Sequence, residues 1–129
     1  MRLSLCLAKQ AESSTQLRFE CDRLRWSIFD KGTARKSGAI QPFNFLSAQL
    51  VGEEDFAPRS QLASLFAAFD QVGGLGAYLV RAQPAECWLR IEAFASSELQ
   101  MDWDLDPSDL QSLANLNLGL EFWFHRDQA

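Results

Sequence analysis

The sequence predicts a single α+β domain over residues 1–129. Its antiparallel sheet has five to six strands, and two to three helices pack mainly on one face. Short segments in which apolar and polar residues alternate recur along the chain, as they do in strands with one buried face. Other segments carry apolar residues at helical spacing. With 129 residues, of which 47% are apolar and 22% charged, the chain can bury a real core.

The first half of the chain predicts strands joined by polar turns. Residues 2–7 place Leu at every second position, which predicts a first strand. Residues 17–21 alternate in the same way and predict a second strand. Residues 26–29 continue that strand or form one of their own. A further strand is predicted over residues 43–50, with a bulge near Leu46, where the parity of the apolar positions changes.

Two helices are predicted in the middle of the chain. The acidic turn over residues 52–55 precedes the first helix, where negative charge is favourable, and Pro58 occupies its first turn. Its apolar stripe consists of Leu62, Leu65, Phe66 and Phe69. Gly73 and Gly74 end this helix. Residues 75–82 predict a second, shorter helix.

A hairpin is predicted near the C-terminal end. Residues 87–95 alternate, and residues 99–105 alternate again after a three-residue turn. This register places Arg90 opposite Asp104, which is a favourable cross-strand pair. It also places Trp88 on the same face as the acidic residues.

The last predicted elements are a helix and a strand. Asp106 suits the N-cap of the helix, Pro107 its first position and Asp109 its third. Residues 120–124 alternate and predict a final strand. The helix start gives Asp106 and Asp109 a structural role, so their charge is not by itself a sign of binding.

Cysteine usage and net charge exclude several classes of protein. Cys6, Cys21 and Cys87 are odd in number and lack CxxC spacing, so we expect buried reduced thiols, with no metal site and no cofactor. The net charge of −5 argues against general nucleic-acid binding. No apolar run approaches the roughly 20 residues of a membrane span, and no signal peptide is recognisable. We therefore expect a cytoplasmic protein without a membrane partner.

Charge is sorted along the chain. Residues 1–36 hold eight Lys or Arg and four acids, a net charge of +4, whereas the remainder holds four Arg and thirteen acids, a net charge of −9. The acidic part peaks over residues 102–109. Such asymmetry indicates a charged partner. The basic residues over 18–36 alternate with aromatic residues, and they either balance the acidic face or offer a second docking edge.

No set of catalytic groups is recognisable. The spacing of Asp102, Asp104 and Asp106 superficially resembles a calcium loop, but Pro107 and Leu113 stand where that loop needs Gly and Glu. His125 lies near Glu121 without a nucleophile beside it in the sequence. We therefore predict that the protein is not an enzyme.

A family resemblance covers roughly residues 31 to 129. It rests on a Lys-Gly loop followed by a strand and an acidic turn, and on a Pro-started helix followed by a short final strand. The matching segments are Asp30-Lys31-Gly32-Thr33, Phe43-Asn44-Phe45-Leu46, Val51-Gly52-Glu53-Glu54, Asp104 to Leu110 and Leu120 to Phe124. These resemble a small bacterial family of unknown function, similar to toxin-immunity proteins. A Pro-containing segment that usually precedes the loop in that family is missing here. The resemblance implies a binding protein and carries over no catalytic residues.

These observations favour a non-enzymatic immunity protein. It would neutralise a cognate protein toxin with a basic surface, such as a nuclease, by occluding it with an acidic surface. The predicted partner-binding residues are Asp102, Asp104, Glu98, Asp106, Asp109, Glu53, Glu54, Asp55 and Trp88. The alternative is a structural or regulatory domain that self-associates through its sheet edge or through exposed aromatic residues, and a weaker alternative is a small hydrolase. We expect a monomer or a weak homodimer.

Overall fold

The computed structural model describes residues 1–52, 57–95 and 104–126. The strands are β1 (Arg2–Ala8), β2 (Leu24–Phe29), β3 (Phe45–Leu50), β4 (Glu86–Ala95) and β5 (Gly119–Arg126). The helices are α1 (Ser14–Leu17), α2 (Pro58–Phe69), α3 (Leu75–Ala82) and α4 (Pro107–Asn115), with a 3-10 turn at Asp70–Val72 after α2. Within the described ranges there is one helix more than the sequence predicts.

The strands form one sheet in the order β2-β3-β1-β4-β5. Neighbouring strands are antiparallel except β4 and β5, which are parallel. The predicted α+β class and five-stranded sheet are confirmed, and the sheet is mostly rather than wholly antiparallel. The predicted pairing of Arg90 with Asp104 is wrong, because β1 and β5 pair with the two sides of β4 and Asp104 is not in a strand. Arg90 therefore lies opposite Glu121 and not opposite Asp104. Residues 99–103 of the predicted hairpin lie outside the described residues.

One face of the sheet, here called the helix face, is packed against the helices. Its centre is formed by Leu3, Leu5 and Leu7 of β1, which are buried. They belong to one core cluster with residues of α1, α2, α3 and α4. In α2, the predicted stripe is confirmed, with Leu62, Leu65 and Phe69 buried and Phe66 half-buried against them. The opposite face, here called the open face, carries the alternate residues of each strand.

The ends of α2 and α3 follow the predicted signals. Pro58 begins α2, as expected of a residue without a backbone N–H. The 3-10 turn that follows α2 ends at Gly73, which has a φ of 90° that favours glycine. Helix α3 spans the predicted residues. These two helices were predictable because the spacing of their apolar residues agrees with the residues that begin and end a helix at their boundaries.

The predicted strand over residues 17–21 is wrong, because the chain forms the one-turn helix α1 just before it. The Ser13 side chain accepts a hydrogen bond from the Gln16 N–H, and Asp30 Oδ1 accepts from the Ser14 N–H at 2.6 Å. The buried Ser14 hydroxyl donates to the Phe45 carbonyl oxygen at 2.8 Å. These polar contacts fix the turn against the ends of β2 and β3. Residues 26–29 lie in β2, a strand of their own.

The predicted bulge in β3 is also wrong. Leu46, Ala48 and Leu50 are buried on the helix face, and the pairing of β3 with β1 and β2 runs without interruption. Phe45 points to the other face, and Phe43 precedes the strand. The change of parity in the sequence therefore reflects where the strand begins.

Candidate functional site

Strand β5 places an aromatic and charged cluster on the open face. Its parallel register with β4 sets Arg90 opposite Glu121, Glu92 opposite Trp123, and Phe94 opposite His125. Arg2 joins them from β1, where it lies opposite Glu92. The open-face cluster consists of Arg2, Arg90, Glu92, Phe94, Glu121, Trp123 and His125.

Arg90 links two residues of β5. Its Nε donates to Glu121 Oε1 at 2.7 Å, and its guanidinium carbon lies 3.9 Å from the centroid of the Trp123 ring. A guanidinium at this distance is attracted by the negative face of the indole. The ion pair and the stacking together hold the Trp123 ring in one orientation on the sheet.

Arg2 makes the equivalent contacts one strand away. Its Nη1 lies 3.3 Å from Glu92 Oε2, and its guanidinium carbon lies 4.7 Å from the Phe94 ring centroid. His125 stacks on Phe94 with centroids 4.8 Å apart and planes 12° apart. His125 Nε2 lies 3.9 Å from Glu92 Oε1 and has no hydrogen-bond partner within the described ranges. Glu92 is buried, so its carboxylate interacts with Arg2 and His125 of the cluster more than with solvent.

The helix-face side chains of β5 are exposed as well. Phe122 is 52% exposed and Phe124 is 70% exposed, although both follow the same alternation as the buried residues of β4. In the sheet that the described residues form, β5 is an edge strand. An edge strand with exposed Phe and Trp on both faces is a common site of association with another chain.

The start of α4 meets the start of α2 in what we call the acidic corner: Asp104, Asp106, Asp109 and Arg59. The Arg59 backbone N–H donates to Asp104 Oδ1 at 2.8 Å. The Arg59 guanidinium lies 3.4 Å from Asp106 Oδ2 and 3.3 Å from Asp109 Oδ2. Two carboxylates thus lie beside the Arg59 guanidinium and a third accepts from the backbone of the same residue, which leaves the corner with a net charge of −2.

Asp106 and Asp109 cap α4 reciprocally. Asp106 Oδ1 accepts from the Asp109 N–H at 3.0 Å, and Asp109 Oδ2 accepts from the Asp106 N–H at 3.0 Å. The Ser108 hydroxyl also donates to Asp106. The Asp109 N–H, followed by the Ser108 hydroxyl, lowers the pKa of Asp106 below its ordinary value. The predicted helix start is therefore confirmed.

The acidic corner and the exposed end of β5 lie toward the same end of the sheet. Strands β3, β4 and β5 end at the same end of the sheet, because β1 is antiparallel to β3 and β4 and because β5 is parallel to β4. Helices α2 and α4 follow β3 and β4 in the chain, so their starts lie toward that end. Phe124 lies at that end and points to the helix face, where α4 also packs. The negative charge of the acidic corner and the exposed Phe124 side chain therefore lie toward the same end of the sheet.

Trp88, which was predicted to share a face with the acids, lies elsewhere. It is half-buried on the open face, with its ring centroid 6.2 Å from that of Phe45 and with Gly119 opposite. The acidic corner lies at the starts of α2 and α4, and Asp104 precedes α4 and is not in a strand. The prediction that Trp88 and Asp104 share a strand face is therefore wrong. The other predicted partner-binding residues lie outside the described ranges: Glu53, Glu54, Asp55, Glu98 and Asp102.

Sequence reasoning missed Arg59 and the cluster around Glu92. Arg59 follows Pro58 in the first turn of α2, where a cation opposes the helix dipole. That mismatch was the available signal that carboxylates lie nearby. The partners of Glu92 come from β1 and β5, which are distant in sequence, so no local pattern could indicate them.

The thiols differ in burial. Cys6 is fully buried, and burial raises its pKa to about 11. Cys21 and Cys87 are only half-buried, so the expectation of three buried thiols is right for Cys6 alone, and burial raises the pKa of Cys87 too. All three are free. Over residues 1–52, 57–95 and 104–126, no three His, Cys, Asp or Glu side chains stand together as a metal site would require.

The fold defines an α+β domain with a mixed sheet. Comparisons with protein-family models, with curated proteins and with solved structures each found no match. No single helix in the described part of the chain is long and apolar enough to span a membrane. Residues Pro58–Val72 and Leu75–Ala82 reach that length and composition only as a pair, which is bent by 65°.

Proposed function

We propose that this protein is a non-enzymatic binding protein that docks a basic protein partner at the end of the sheet formed by the acidic corner and β5. One observation carries the proposal. A corner with a net charge of −2 lies toward the same end as two exposed Phe side chains on an edge strand. Aromatic residues anchor protein interfaces, and charge complementarity steers the partner toward them.

The partner class we propose is a toxin that the protein neutralises by occlusion in the cytoplasm. Two observations support this class: the resemblance of residues 31–129 to immunity proteins, and the net charge of −9 after residue 36. A toxin that cleaves nucleic acid must carry positive charge to hold phosphates. An acidic surface placed over that charge blocks the substrate without any chemistry of its own.

The open-face cluster supports the same role. The guanidinium groups of Arg2 and Arg90 lie over the rings of Phe94 and Trp123, and both rings stay about 40% exposed. Rings that are already oriented lose little conformational freedom when a partner covers them. The partner therefore has aromatic contacts on both faces of the sheet edge.

The test is co-purification with the product of the adjacent gene, followed by measurement of Kd. We expect Phe122→Ala plus Phe124→Ala to weaken binding by roughly 30-fold or more, as loss of an interface anchor does. The matched control is Phe29→Ala, which removes an aromatic residue that is 46% exposed on the opposite edge strand. Equal Kd values for the double variant and the native protein would contradict the proposal.

Salt dependence tests the acidic corner separately. Steering by exposed carboxylates weakens as ionic strength rises, because the Debye length shortens. We expect the association rate to fall with added salt and the dissociation rate to change little. An association rate that is independent of salt would contradict electrostatic steering of the partner by the acidic corner.

Self-association through β5 is the second candidate function. If two β5 strands paired antiparallel about Trp123, Glu121 would lie opposite His125 of the second copy, and Phe122 opposite Phe124. This register pairs the polar residues Glu121 and His125 on the open face and the two Phe side chains on the helix face. Light scattering at low concentration distinguishes the two candidates, since a strict monomer is incompatible with a stable homodimer.

A further inference from the structure

A groove runs along the other edge of the sheet, at β2. It is open, has a volume of about 480 Å³, and is lined by Arg18, Leu24, Arg25, Trp26, Ile28 and Val51. In the sheet of the described residues, β2 pairs with β3 on one side only. The groove therefore lies beside an edge strand, far from β5.

The two arginines of the groove differ from others in the protein. Arg2, Arg59, Arg81 and Arg90 each have a carboxylate partner. Arg18 and Arg25 are exposed and have no carboxylate partner within the described ranges. Their positive charge is therefore available to a ligand, which would form charge-assisted hydrogen bonds with the guanidinium groups.

Trp26 also lines this groove. Trp26 Nε1 is buried and lacks a hydrogen-bond acceptor in the described part of the chain. The Trp26 ring is held by edge contacts with Phe19 and Phe69, whose centroids lie 5.1 and 6.4 Å away. A buried donor without an acceptor is costly, and a ligand oxygen would remove that cost.

The rest of the lining is apolar. Leu24, Ile28 and Val51 contribute hydrocarbon surface beside the cationic groups. A ligand that fits such a groove alternates carboxylates with apolar side chains, as an extended acidic peptide does. Its backbone can pair with the free side of β2, a mode of binding in which a strand is added to a sheet edge. Nucleic acid fits less well, because its many phosphates would meet a protein with a net charge of −5.

We infer that the groove along β2 binds an extended acidic segment of another protein. This inference is independent of the proposed function, since it concerns the opposite edge of the sheet and a partner of opposite charge. It also gives a role to the basic residues that cluster in the first third of the chain. The two edges of the sheet then recognise two chemically different partners.

Fluorescence anisotropy with labelled probes tests this inference. The first probe is a peptide on the order of ten residues, the length of a long strand, in which Glu alternates with Val. The second carries Lys in place of Glu, and the third is oligothymidylate. We expect binding of the Glu peptide alone. Equal or tighter binding of oligothymidylate would identify a nucleic-acid site instead, and binding of neither anionic probe would overturn the inference.

Charge-matched variants locate the site. Arg18→Glu plus Arg25→Glu should weaken binding of the Glu peptide by about tenfold or more. Arg18→Gln plus Arg25→Gln should weaken this binding less. Lys31→Glu plus Lys36→Glu changes the net charge equally at exposed positions outside the groove, and it should leave Kd within about twofold. Equal weakening by both charge reversals would show nonspecific attraction and contradict the groove.

A spectroscopic readout connects the peptide to Trp26. The indole N–H resonance of Trp26, assigned with Trp26→Phe, should shift on titration with the Glu peptide because a carboxylate or carbonyl oxygen accepts from it. Phe122→Ala plus Phe124→Ala should leave this titration unchanged. A failure of the proposed partner binding at β5 can thus be distinguished from a failure of peptide binding at β2.

Discussion

Strands β1 and β5 have the same alternation of apolar residues but opposite degrees of burial. The helix-face residues of β1 are exposed by 2%, 0% and 0%, whereas those of β5 are exposed by 38%, 52% and 70%. In chain order these are Leu3, Leu5 and Leu7, and Leu120, Phe122 and Phe124. Strand β1 lies between two neighbours and under helices, whereas β5 is at an edge of the sheet that the described residues form. Alternation therefore identifies a face, and position in the sheet decides whether that face is covered.

The difference separates stability from recognition. Full burial of one Leu side chain stabilises a fold by about 1.5–3 kcal/mol, and β1 contributes three such residues. The Phe residues of β5 leave much of that free energy unrealised in the isolated chain. It becomes available when a partner covers them.

The largest expected effect is a difference between two truncations. Leu5→Ala should lower the free energy of unfolding by about 2–5 kcal/mol, because it leaves a cavity in a closely packed core. Phe124→Ala should change it by no more than about 0.5 kcal/mol. Urea denaturation measures both. Similar losses for the two variants would mean that β5 is packed in solution as β1 is.

The next expected effect concerns thiol reactivity. Cys6 of β1 is fully buried with a pKa of about 11, so only about a thousandth of it is thiolate at pH 8. Disulfide-exchange reagents should label Cys21 and Cys87 in the native protein, and Cys6 only after unfolding. Native labelling should therefore be unchanged by Cys6→Ser and reduced by Cys87→Ser. Rapid native labelling of Cys6 would show that the centre of the sheet opens.

The smallest expected effect concerns Asp106, whose helix leads into β5. Its folded pKa is lowered, so its charge stabilises the fold above the unfolded value of 3.8 and this contribution is lost as pH falls through the folded pKa. Asp106→Asn keeps a capping side chain but removes the charge. We expect its Tm to be lower than that of the native protein by about 1–3 °C at pH 6, and the two to converge near pH 2. A difference in Tm that stays constant from pH 6 to pH 2 would contradict a stabilising role for the Asp106 charge.

Elements with agreeing local signals were predictable from the sequence. In α2, the spacing of Leu62, Leu65 and Phe69 coincides with Pro58 at one end and Gly73 shortly after the other. In α4, Asp106 and Asp109 form the expected cap. Strand β4 was predictable because nearly all of its residues alternate. In each case a few neighbouring residues contain the whole signal.

Features that depend on distant residues were not predictable. The turn at α1 depends on Asp30 and on the Phe45 carbonyl, which no local pattern around Ser14 reveals. The parallel pairing of β4 with β5 depends on the path of α4, so the partner of Arg90 could not be read from its neighbours. Likewise, the acidic segment alone did not reveal that Arg59 would gather three carboxylates.

The central position of β1 has a consequence for biosynthesis. Ser4 pairs with Gln49 on one side and with Arg90 on the other, so the second partner emerges from the ribosome 86 residues after Ser4. Until then β1 can pair only with β3, and its other edge stays open beside apolar side chains. Open edges of this kind attract other chains during synthesis. We therefore expect the nascent protein to depend on protection of that edge until β4 arrives.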